Sequence, residues 1–350
     1  MQKRPLSEDI SVVVQGALCC HTPAVLNSIR QWLPKAEIIL STWQGAEVGG
    51  LDFDLLLLNE DPGGCITSDS GTMQNLNRQL LSTKSGIKAV SRRFVLKLRS
   101  DTSLIGDSFL DYWGSFPKRE KPYSLFSERI LTCSFYTRPP RWKKQAYLYH
   151  PSDWCSFGTK EDMLLLWDLP LVSEPDFSQY FKEDCTLNHS KNKNWTRFFP
   201  EQYFFIASLE QNGFQTGVSS QRDYDEELAT RSQHFLMNNF LILDYGKQFS
   251  ISCAKYPNTC CDSKIQHHRQ FLYFYKNYCD KQYQLKRVQV WRDLLEIEDV
   301  LDKIKFHILR IKKHHNRIGE VIGQSLGILY YAFVAIVRGI VHLPRLLFYS

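Results

Sequence analysis

Residues 10–42 read ISVVVQGALCCHTPAVLNSIRQWLPKAEIILST, and this stretch decides the fold. Ile10–Gln15 is a short β-branched run that stops at Gly16, the pattern of a buried strand. Thr22-Pro23 follows, an N-cap with proline at the first helical position, and opens a helix to about Trp32. Glu37–Thr42 is a second strand. Strand, helix and strand with so few residues between them form a βαβ unit, which requires parallel pairing.

Reading outward, the same alternation continues. Asp54–Asn59 is a third apolar strand, stopped by Glu60-Asp61-Pro62-Gly63-Gly64. From Asn75 to Val90 the apolar positions Leu76, Leu80, Leu81, Ile87 and Val90 have helical spacing. Phe94–Leu98 is a fourth strand and ends in Arg99-Ser100-Asp101. The expected architecture is an α/β fold with a mostly parallel sheet flanked by helices and followed by C-terminal helices. Ligands of such sheets bind at the carboxyl ends of the strands. Polar residues stand at all four of those ends: Gln15, Thr42, Asn59 to Asp61, and Arg99 to Asp101. That repetition points to a nucleotide-type site. Neither G-x-G-x-x-G nor G-x-x-x-x-G-K-[ST] occurs near these strands, which disfavours dinucleotide and P-loop binding.

The chain has 350 residues and a formal charge of +6, but the charge is unevenly placed. Lys303 to Ser350 carries eight basic residues and one acid, Glu320, so this segment holds +7 and residues 1–302 hold −1. A nearly neutral first part disfavours nucleic acid as a partner. The opening Met1–Asp9 is charged and runs directly into a strand, so a signal peptide is not expected. The ten cysteines lack metal-ligand spacing and read as reduced, mostly buried thiols of a cytoplasmic protein.

Several segments resemble the WavE lipopolysaccharide-synthesis family. They are Ser11–Gly16, Glu37–Trp43, Asn59–Gly63, Asn77-Arg78-Gln79 with Ser82-Thr83 and Gly86, Lys97–Asp101, His150–Trp154 and Pro200–Tyr203. The resemblance runs from about residue 10 to 245, and the region is also similar to GT-A glycosyltransferases. It implies transfer of a sugar from a nucleotide-diphosphate donor to a lipopolysaccharide-core or related glycolipid acceptor. Enzymes of that class commonly end the fourth strand in Asp-x-Asp, which holds Mg²⁺ or Mn²⁺. Here Arg99 replaces the first acid and leaves Asp101 as the one carboxylate for a divalent cation. Alternatively, Arg99 itself neutralises the diphosphate with its bidentate fork.

The resemblance and the chemistry together nominate residues. A leaving diphosphate needs electrostatic stabilisation, and an acceptor hydroxyl needs a general base. Asp101 and Arg99 are expected on the diphosphate, with Arg78 and Lys97 as helpers and Gln15, Thr42 and Asp61 in the nucleotide pocket. Glu201 is the favoured base and Asp153 its rival. The polar stretch 173–200 is expected to be a long loop near the acceptor.

The chain is expected to divide into a catalytic domain, 1–285, and a basic helical tail, 286–350. Leu294, Ile297, Leu301, Ile304, Ile308, Ile311, His315 and Ile318 form a heptad seam. That seam would pack on the catalytic domain or pair with a second protomer. Val321–Val337 is free of charge over 17 residues, and its apolar face is flanked by basic residues. Such a helix is expected to lie on the inner face of the cytoplasmic membrane and be drawn to anionic lipid. The rival functions are another nucleotide-dependent transferase and a catalytically silent scaffold of envelope-polysaccharide assembly.

Overall fold

Val12, Val13 and Val14 are fully excluded from solvent, and the strand that carries them lies inside the sheet. Burial of a valine side chain contributes about 1.5–3 kcal/mol, so this tripeptide anchors the core. The computed structural model describes residues 3–142, 145–183, 195–253 and 265–283. Its first half supplies β1 (Ile10–Gln15), α1 (Thr22–Trp32), β2 (Glu37–Trp43) and β3 (Leu55–Asn59). A short hairpin of β4 (Cys65–Ile66) and β5 (Met73–Gln74), then α2 (Leu76–Ala89), β6 (Phe94–Arg99) and β7 (Thr102–Leu104), follow. The second half adds β8 (Ile130–Cys133), β9 (Arg141–Trp142), β10 (Gln145–Ala146), β11 (Ser156–Thr159) and α3 (Lys160–Trp167). It ends in α4 (Pro200–Gln211), α5 (Glu226–Asn239), β12 (Phe240–Leu243), β13 (Ile251–Cys253) and α6 (His268–Tyr278).

Seven strands form the central sheet in the order β12-β8-β11-β6-β1-β2-β3. β11 runs antiparallel to both neighbours, and every other pairing in this sheet is parallel. The expected α/β architecture with a mostly parallel sheet is therefore present, in a form consistent with the GT-A-like fold. One detail departs from expectation. β3 is an apolar run in a sheet expected to be flanked by helices, yet Leu55 and Leu58 are 37% and 48% exposed. β3 is an edge strand, and its pairing on one side cannot cover it.

The helices start where local chemistry favours them. α1 has proline in its first turn as expected, although Thr22 is already inside the helix. The Thr22 hydroxyl instead accepts from the Cys19 amide at 3.0 Å and donates to the Ser100 carbonyl at 3.1 Å. This ties the start of α1 to the end of β6. α3 is capped by Thr159, whose hydroxyl accepts from the Asp162 amide, and α5 by Asp225 in the same way. α2 packs on β1 and β2 and against α3. At Gly86 a Cβ atom would come within 2.3 Å of Val13 Cγ1, so only glycine permits this approach.

Register decides what faces α2. Val13 pairs with Lys97 and Gln15 with Arg99, so these four side chains share one face of the sheet. Ser156 pairs with Lys97 from the other side and extends that face toward α3. The chain divides into two units, Met1–Tyr283 and Gln284–Ser350. The second lies outside the described residues, and with it the expected basic tail, its seam and its amphipathic segment. Among the described residues, no helix is long and apolar enough to cross a membrane.

Candidate active site

A cleft of about 680 Å³ opens at the carboxyl ends of β1, β2 and β6. Gln15, Gly16 and Ala17 form one wall, Trp43 and Asp61 the next, and Arg99, Ser100 and Asp101 the floor. The β4–β5 hairpin and the first turn of α2, including Arg78 and Gln79, also line it. Asp153, Thr196 and Pro200 close the far side. Thr196 and Pro200 end the loop expected near the acceptor; residues 184–194 of that loop lie outside the described residues.

Of the nominated residues, Gln15, Asp61, Arg78, Arg99, Asp101 and Asp153 meet at this cleft. Gly16 has φ +108°, which turns the chain sharply after β1. The Ser100 amide then donates to the Gln15 carbonyl at 3.1 Å, and the Ser100 hydroxyl donates to the Ala17 carbonyl at 2.5 Å. These bonds fix the wall against the floor. Gln15 Oε1 accepts from the Ser82 hydroxyl at 2.8 Å.

Three nominated residues stand elsewhere. Thr42 pairs with Leu58 one step beyond Ser41, and alternation turns it to the opposite face of the sheet from Gln15 and Trp43. It borders a separate shallow groove beside the cleft. Lys97 is on the correct face but fully buried beneath the floor. Its Nζ donates to the Asp153 carbonyl oxygen and lies 4.9 Å from the Trp167 ring centroid. Glu201 sits behind Pro200 and is 8% exposed.

The charges are paired in a specific way. Arg99 Nε and Nη2 donate to Asp101 Oδ1 and Oδ2 at 2.9 and 2.8 Å. Burial alone would raise the Asp101 carboxyl, but this two-pronged contact outweighs it and holds the group below its ordinary value. Arg78 Nε and Nη2 hold Asp61 in the same manner at 2.7 Å each. That contact keeps the Asp61 carboxyl low as well. Asp153 differs, because its Oδ1 is buried and has no hydrogen-bond partner.

Beside Asp153, burial and the neighbouring Asp153 charge push Glu201 up to about 8. The carboxyl therefore keeps its proton at neutral pH. His150 Nε2 lies 3.8 Å from Glu201 Oε2, and burial drives this imidazole down to about 3, leaving it neutral. Gln202 ties the start of α4 into this region, donating from Nε2 to the Leu148 carbonyl at 2.9 Å. Its Oε1 accepts from the Phe199 amide at 3.2 Å.

Trp154 and Gln79 were not singled out by sequence reasoning. The Arg99 guanidinium carbon lies 4.2 Å from the Trp154 ring centroid, and Gln79 Nε2 donates to the Asp153 carbonyl at 3.2 Å. Both lie in segments that carry the family resemblance, but only folding brings Trp154 onto Arg99.

The divalent cation implied by GT-A likeness does not fit these residues. Both Asp101 oxygens are engaged by Arg99, and the guanidinium occupies the place where a second acidic ligand would be expected. Among the described residues, no three His, Cys, Asp or Glu side chains form a group able to hold a metal ion.

With the strand-end cleft in place, comparison with known families is decisive: residues 10–306 match WavE, described as WavE lipopolysaccharide synthesis. The chain belongs to the WavE lipopolysaccharide synthesis family. The match extends past the segments that carried the resemblance and into the first part of the tail. A search of curated proteins found no match.

Proposed function

We propose that this WavE family member is a glycosyltransferase that moves a sugar from a nucleotide-diphosphate donor to a lipopolysaccharide-core or related glycolipid acceptor. The observation that carries this reading is the cleft itself. It lies at the carboxyl ends of parallel strands, and one carboxyl group that lines it, Asp153, has an oxygen without a partner. Family membership supports lipopolysaccharide synthesis as the process.

Asp153 is the general base of the proposed reaction, in preference to Glu201. A base must be ionised and must reach the acceptor hydroxyl. Asp153 lines the cleft, whereas Glu201 is held protonated at neutral pH by its burial and by Asp153. The Asp153 carboxylate accepts the hydroxyl proton as the acceptor oxygen attacks the anomeric carbon and the sugar–phosphate bond breaks, the diphosphate leaving with the bonding pair. Gln15, Trp43 and the β4–β5 hairpin line the space proposed for the donor. Donor hydrolysis with a panel of nucleotide sugars tests the reading. At least one donor is expected to be turned over by the wild type and not by Asp153→Asn. A chain that turns over none of them, and binds no nucleoside diphosphate, would be a scaffold.

The acceptor is lipid-linked in this reading, so the enzyme works at the cytoplasmic face of the membrane, held by residues 286–350. The +7 charge of the last 48 residues supports that placement. Full-length protein is expected to sediment with vesicles containing anionic lipid, and protein truncated after residue 285 to remain in solution. Equal partitioning of the two would remove the tail from this role.

A further inference from the structure

We infer that Arg99 takes the place of a divalent cation at the donor diphosphate, and that Asp101 is its clamp, not a metal ligand. The inference rests on the cleft being a diphosphate site, as proposed above, and concerns how that site holds its charge.

Three restraints fix the guanidinium. Asp101 takes Nε and Nη2, and the Trp154 ring lies 4.2 Å away. The third nitrogen, Nη1, has no hydrogen-bond partner among the described residues, although the side chain is only 32% exposed. An arginine used solely as a structural tie would bury or satisfy that end. Arg99 lines the cleft at the end of β6, beside the end of β1, where Gly16 (φ +108°) turns the backbone sharply.

The pair also explains why Asp101 would be unsuited to a cation. A divalent ion needs at least one carboxylate oxygen, and both are already accepting charged hydrogen bonds. An ion placed there would in addition stand against a fixed guanidinium. The aspartate and the indole pre-orient Arg99 and limit the side-chain freedom that a phosphate contact would otherwise cost. Nη1 then donates to the diphosphate as charge builds on it during bond cleavage, which is where a preorganised donor is most effective.

Calorimetry on the full-length protein in detergent, with inorganic pyrophosphate as the probe, tests this without relying on turnover. Wild type is expected to bind pyrophosphate in EDTA with an affinity close to that in Mn²⁺. Arg99→Ala is expected to weaken binding at least tenfold in EDTA. Arg99→Asp, which places two acids on either side of Ser100, is expected to bind only with Mn²⁺. Wild-type binding that requires Mn²⁺, no binding in either buffer, or Arg99→Ala binding as tightly as wild type would each overturn the inference. Thermal melts of Arg99→Ala establish that the variant is folded; if it is not, Arg99→Gln replaces it under the same criterion. Pyrophosphate binding through Arg99 without any sugar transfer would instead count against the transferase reading and leave this inference standing.

Discussion

Lys97 Nζ donates to the backbone carbonyl of Asp153, so a buried cation beneath the cleft holds the main chain of the proposed base from below. The two residues are 56 positions apart in sequence. Burial lowers the Lys97 ammonium to about 8. Such a group is a positioning residue. It touches neither donor nor acceptor space.

Replacing Lys97 separates stability from activity. Lys97→Met removes the desolvation cost of a buried ammonium and fills similar volume, while Gln79 still donates to the Asp153 carbonyl. The melting temperature is therefore expected to hold or rise. With Gln79 as the remaining donor to its carbonyl, Asp153 is held less firmly, and kcat is expected to fall by roughly 10- to 100-fold with the donor KM little changed. A melting temperature that drops together with full retention of kcat would assign Lys97 to the core alone.

Asp153→Asn removes the ionisable oxygen while keeping the side-chain shape. Loss of a general base costs about 10²- to 10⁴-fold in rate. The expected result is that loss in kcat with pyrophosphate affinity unchanged, measured on the same preparation. A parallel loss of affinity would mean that Asp153 shapes the donor site instead.

Glu201 makes stability depend on pH in a direction unusual for a carboxylate. Its folded-state value is raised to about 8 from an ordinary 4.5. Between those values the folded protein holds a proton that the unfolded chain has released. This stabilising contribution is complete below about 4.5 and is lost as pH rises through about 8. Urea melts across that window are expected to show wild type weakening toward alkaline pH and Glu201→Gln showing a flatter profile. Parallel profiles would show that Glu201 ionises freely.

Gly86→Ala tests the packing of α2 on the sheet. The new methyl would lie 2.3 Å from Val13 Cγ1, so the helix must move away from β1. Overpacking of this kind costs about 1–3 kcal/mol, outweighing the helix-propensity gain of roughly 1 kcal/mol from replacing glycine. A lowered denaturation midpoint is the expected outcome, and an unchanged one would show that α2 is free to shift.

Much of the cleft was legible in sequence because strand ends are local features. A β-branched run stopped by glycine places Gln15 at a sheet margin without knowledge of the rest of the chain. Arg99 and Asp101 follow a strand by the same logic. Thr42 shows the limit of that reasoning. Being at the end of a strand does not settle which face a side chain takes, and register with β1 turns Thr42 away while Trp43 enters the cleft.

By itself the sequence determined the βαβ alternation, the strand-end cluster and the concentration of positive charge after residue 302, because periodicity, turn chemistry and charge are properties of neighbouring residues. Only the tertiary structure decided how those groups are used. It closed Arg99 onto Asp101 and set it 4.2 Å from the Trp154 ring, buried Lys97 under Asp153, and placed Glu201 where it keeps its proton. Each of these depends on burial and on contacts between segments distant along the chain. Those two factors set whether a charge is paired, solvated or neutralised, and no local pattern contains them.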